Sequence, residues 1–62
     1  MDKQQILNMD VYMLLSIINM KLRDEFDSLN SLCEDLQIEQ QELIERLKSA
    51  GYIYNSSKNQ FI

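Results

Sequence analysis

The stretch LCEDLQIEQQELIERLKSAGY, Leu32 to Tyr52, carries side chains of the types that read base edges. In a helix-turn-helix the exposed positions at the start of the second helix reach into the major groove. Gln40 and Gln41 have the amide that pairs with adenine, and Glu39, Glu42 and Glu45 have the oxygens that accept from cytosine. Arg46 and Lys48 late in that helix, with Lys58 beyond it, would supply phosphate contacts. Carboxylates beside phosphates repel, however, and affinity for nucleic acid rests on clustered cations. The competing reading is a solvated helix face on a scaffold that reads nothing.

A second polar group is Ser16, Asn19, Arg23 and Asp24. The first three follow helical spacing and share one face. Arg23 could chelate a carboxylate such as Asp24, Glu34 or Asp35, or the group could hold a small anion. The structural alternative has Arg23 and Asp24 tie their helix to the next connection, while Asn19 bonds to backbone; half-buried polar groups mostly satisfy neighbours in this way. Tyr52, Tyr54 and Phe61 could stack on bases. Without a basic groove around them, aromatic packing on the last helix is the better reading. Asn59 is expected to shape the exit of a turn.

Catalytic and metal chemistry find little to work with. The chain has no His to activate Cys33, its single cysteine. Cys33 falls on an apolar helix face, where a thiol behaves as a small hydrophobe. Asp24, Glu25 and Asp27 lack the Gly and the distant Glu of a calcium loop. They read as a solvated, capping cluster. No disulfide is possible within the chain, and no zinc cluster forms from one thiol. The expectation is a protein that is not an enzyme and needs no cofactor, metal or small-molecule substrate.

The bounds come from size and charge. Sixty-two residues make one small domain, with 45% apolar side chains, a globular composition. Ten acidic and six basic side chains give a net charge of −4, which disfavours polyanionic partners. No basic-then-apolar leader opens the chain, and its longest apolar run is Met13–Leu15, so a soluble cytoplasmic protein is expected.

The elements that must position these groups follow from hydrophobic period. Residues 1–9 are polar, with Ile6 and Leu7 as the internal apolar pair, and read as an arm or a frayed lead-in. Asp10 can cap a first helix running to about Arg23. Val11, Leu14, Leu15, Ile18 and Leu22 recur at steps of three and four, forming its buried stripe. Met13, Ile17 and Met20 form a second stripe beside it. A helix with so narrow a polar strip is either central or packed on a partner. Asp27 or Ser28 then caps a second helix with Leu29, Leu32, Cys33 and Leu36 inward.

Gln37 and Ile38 make the next turn, and a third helix runs from about Glu39 to Ala50. Ile38 and Leu43 are spaced as a hydrophobic staple. Leu43, Leu47 and Ala50 face inward, with Ile44 beside them. Gly51 can adopt the left-handed conformation that ends a helix. Beyond it, YIYNSSKNQFI sets aromatic and β-branched residues on either side of a polar cluster, the pattern of a short hairpin. The expected fold is therefore mainly α: a three-helix helix-turn-helix core with a C-terminal β-hairpin, winged-helix-like, in one domain over residues 10–62.

Several motifs carry a family resemblance. They are Asp10, Leu14-Leu15-Ser16, Asn19, Lys21-Leu22-Arg23-Asp24, Leu32-Cys33, Gly51-Tyr52-Ile53-Tyr54 and Asn59-Gln60-Phe61. Together, over about Asp10 to Ile62, they resemble a small bacterial family catalogued as domain of unknown function 4250. Val11 departs from the family pattern, which has Pro there. A Pro suits the first helical position, so its loss loosens the helix start without affecting the fold. The resemblance implies no particular activity. The functional expectation is a non-catalytic protein-interaction or homo-oligomerisation module that meets another protein or itself through Met13, Ile17 and Met20. The alternative is a helix-turn-helix DNA binder or transcriptional cofactor, and no membrane partner is expected.

Overall fold

The computed structural model describes residues 2–62. The chain is mainly helical and closes on a two-stranded antiparallel hairpin. Helices α1 (Lys3–Asn8), α2 (Val11–Asp24), α3 (Leu29–Leu36) and α4 (Gln40–Lys48) are followed by strands β1 (Tyr54–Asn55) and β2 (Gln60–Phe61).

The first difference from the sequence reading is α1. The expected polar arm is a helix held at its start by a capping box. The Asp2 carboxylate accepts from the Gln5 N–H at 2.8 Å, and the Gln5 side chain accepts from the Asp2 N–H at 3.1 Å. Six residues are too few to hold a helix by themselves. Packing supplies the rest: Ile6 is fully buried in the common core. Lys3 also meets Glu42 of α4 at 3.0 Å. The core thus extends N-terminal to residue 10. Met1, the first residue of the expected arm, lies outside the described residues.

The other helices form for the reasons their sequences suggest. Asp10 caps α2 by accepting from the Met13 N–H at 3.1 Å, and Leu14, Ile18 and Leu22 bury the stripe. Ser28, of the two candidates, caps α3 through the Ser31 N–H. Leu29, Leu32, Cys33 and Leu36 are its buried face. Ile38 and Leu43 are both buried, one before the Glu39 cap and one in the first turn of α4, as a staple requires. Helix α4 is shorter than expected at its end, and Ser49 to Gly51 form its closing turn.

Helices α3 and α4 end alike. After α4 the Tyr52 N–H donates to the Leu47 carbonyl at 3.1 Å and the Gly51 N–H to Lys48 at 2.8 Å. Gly51 sits at φ 88°. This is the Schellman closure, with glycine in the left-handed position. After α3 the Ile38 N–H donates to Cys33 at 3.1 Å and the Gln37 N–H to Glu34 at 3.3 Å. Here the left-handed residue is Gln37, at φ 57°. A side chain with a Cβ therefore occupies a conformation that glycine adopts without steric cost.

The hairpin pairs Tyr54 with Phe61 and Asn55 with Gln60. Ile53 and Ile62 extend it by exchanging two backbone bonds of 2.9 Å each. Asn55 accepts from the Lys58 N–H across the turn, and Asn59 leaves it at φ 53°. Phe61 alone of the hairpin side chains is buried, with Tyr52 and Tyr54 packed partly against the same core. An isolated hairpin of this length would not persist in water, so its position depends on α2.

Candidate functional site

Two groups of side chains compete for a role: the polar residues between α2 and the hairpin, and the apolar residues on the outward side of α2. The polar residues resolve into a structural clasp. Because Ile53 and Ile62 exchange backbone bonds, the peptide groups of Phe61 point away from β1. Asn19 meets both. Its Nδ2 donates to the Phe61 carbonyl at 3.0 Å, and its Oδ1 accepts from the Phe61 N–H at 2.8 Å. One side-chain amide thus substitutes for a neighbouring strand.

Asn59 and Gln60 complete the clasp. Asn59 Nδ2 donates to the carbonyls of Leu22 and Phe26, each at 2.9 Å, where α2 ends and leaves acceptors free. Its Oδ1 accepts from the Tyr54 hydroxyl at 2.6 Å. Gln60 Nε2 donates to the Asn19 carbonyl at 2.8 Å and to that of Asn59 at 2.9 Å. The Tyr54 and Phe61 rings lie 5.4 Å apart at 55°, a tilted pair beneath this layer. Among the described residues no buried side-chain N or O lacks a partner.

Ser16, Asn19, Arg23 and Asp24 do not assemble into one ligand site. Asn19 turns to the hairpin and Ser16 is exposed. Arg23 and Asp24 pair with each other through two bonds of 2.9 Å, both side chains largely in solvent. The hydrogen bond from Arg23 lowers the pKa of Asp24, and the same bond raises that of Arg23. The pair does not tie α2 to α3. It borders an open depression lined by Leu22 to Asp27 and Lys58 to Gln60, where the clasp uses the amides. The Cys33 thiol is buried, which pushes its pKa up and keeps it protonated.

The residues suited to nucleic acid are largely engaged within the chain. Gln40 donates to Asn30 at 2.9 Å and Gln41 to Glu45 at 3.0 Å. Arg46 donates to the Met9 carbonyl at 2.8 Å, closing the C-terminal end of α1. Lys3, Lys21 and Arg23 are paired with Glu42, Glu25 and Asp24. Among the described residues this leaves Lys48 and Lys58, one at the end of α4 and one at the hairpin turn, as cations without an internal partner. Two separated lysines do not make a phosphate-binding groove.

Of the second apolar stripe of α2, Met13 and Met20 face outward. Met13 is 57% exposed and Met20 44%, with Ile17 half-buried between them. Tyr12 is exposed on the adjoining strip. Ile53, expected on the strand face opposite Tyr52 and Tyr54, is exposed with Ile62 on the outer face of the hairpin, and two features lie beyond the sequence reading: Ile6 as a core residue, and Phe61 as the backbone to which Asn19 bonds. The first had a readable signal, since Asp2 and Gln5 have capping-box spacing. The last had none, because the partners are 42 positions apart. Among the described residues no helix is long and apolar enough to cross a membrane, and no acidic, His or Cys group is placed to hold a metal ion.

The sequence model of the family described as Domain of unknown function (DUF4250) matches residues 8–61. No curated protein and no solved structure matches the chain. Helix α1 lies almost wholly outside the matched segment, although its Ile6 belongs to the same core.

Proposed function

We propose, from the premise that this chain belongs to the family described as Domain of unknown function (DUF4250), that it is a non-catalytic interaction module whose contact face is the outward side of α2. The supporting observation is the exposure of Met13 and Met20 on the longest helix of so small a protein. Contiguous exposed apolar side chains mark contact sites more often than they mark idle surface. Methionine suits the task, because its flexible thioether packs against varied shapes. The internal pairing of four of the six cationic side chains counts against a nucleic-acid face.

The test is Met13→Glu and Met20→Glu, made singly. Both positions are exposed, so the unfolding temperature should stay close to that of the parent. Solution size, or capture of a defined protein partner from cell lysate treated with nuclease, should be lost in both variants. Unchanged size together with unchanged partners would remove α2 as the contact face. Capture that vanishes on nuclease treatment would return the protein to the nucleic-acid reading.

A further inference from the structure

We draw no further inference here: the strongest candidate, the apolar surface patch on the outward side of α2 at Met13 and Met20, belongs to the face already described, and nothing in the structure shows what covers it.

Discussion

Asn19 holds both backbone polar groups of Phe61, donating to its carbonyl at 3.0 Å and accepting from its N–H at 2.8 Å. The ring of Phe61 is buried in the core while its backbone is gripped from α2. The two interactions act in series. The ring fixes how deep β2 sits, and the amide fixes its register along the helix.

Replacing Asn19 should therefore cost more than an ordinary exposed polar substitution. Asn19→Ala leaves two part-buried backbone groups of Phe61 without partners, a loss of about 2–4 kcal/mol. Ser16→Ala, three residues earlier and exposed, should be close to neutral. Urea unfolding of the two variants side by side checks this. Equal midpoints would mean that water replaces the Asn19 bonds without cost.

The two left-handed helix ends invite opposite substitutions. Gln37→Gly should stabilise the chain by about 0.5–1 kcal/mol, because it removes Cβ strain at φ 57° and leaves the closure bonds intact. Gly51→Ala should destabilise by about 1 kcal/mol through backbone strain. At Gly51 an added Cβ meets nothing within 4 Å, so packing has no part in that loss. Thermal unfolding reads both, and a stabilising Gly51→Ala would contradict the account.

Ile6 distinguishes an integral helix from a loose arm. Ile6→Ala should cost about 2–5 kcal/mol if α1 belongs to the cooperative unit. The urea midpoint should then fall with its slope unchanged. Gln4→Ala, on the exposed side of the same helix, should leave the midpoint where it was. No effect from Ile6→Ala would mean that α1 opens independently of the core.

Much of the fold was legible because it depends on near neighbours in sequence. The caps Asp10 and Ser28, the stripe Leu14–Ile18–Leu22, the Ile38–Leu43 staple and the Gly51 closure each involve residues within a few positions. Local periodicity and capping chemistry report such relations directly. Helix α1 was missed for a physical reason. Six residues carry too little period to stand out, and their stability comes from Ile6 entering a core built elsewhere.

The candidate site divides along the same line. The sequence by itself determined the net acidity, the carboxylate-free run from Val11 to Arg23, and the presence of a second apolar stripe at Met13, Ile17 and Met20. Only the tertiary structure decided whether the rest of the chain covers that second stripe as well. It turned Asn19 toward Phe61 and Arg46 toward Met9, and it left Met13 and Met20 in solvent. Spacing along a helix says which side chains share a face. What that face meets depends on residues tens of positions away, and chain folding alone brings those together.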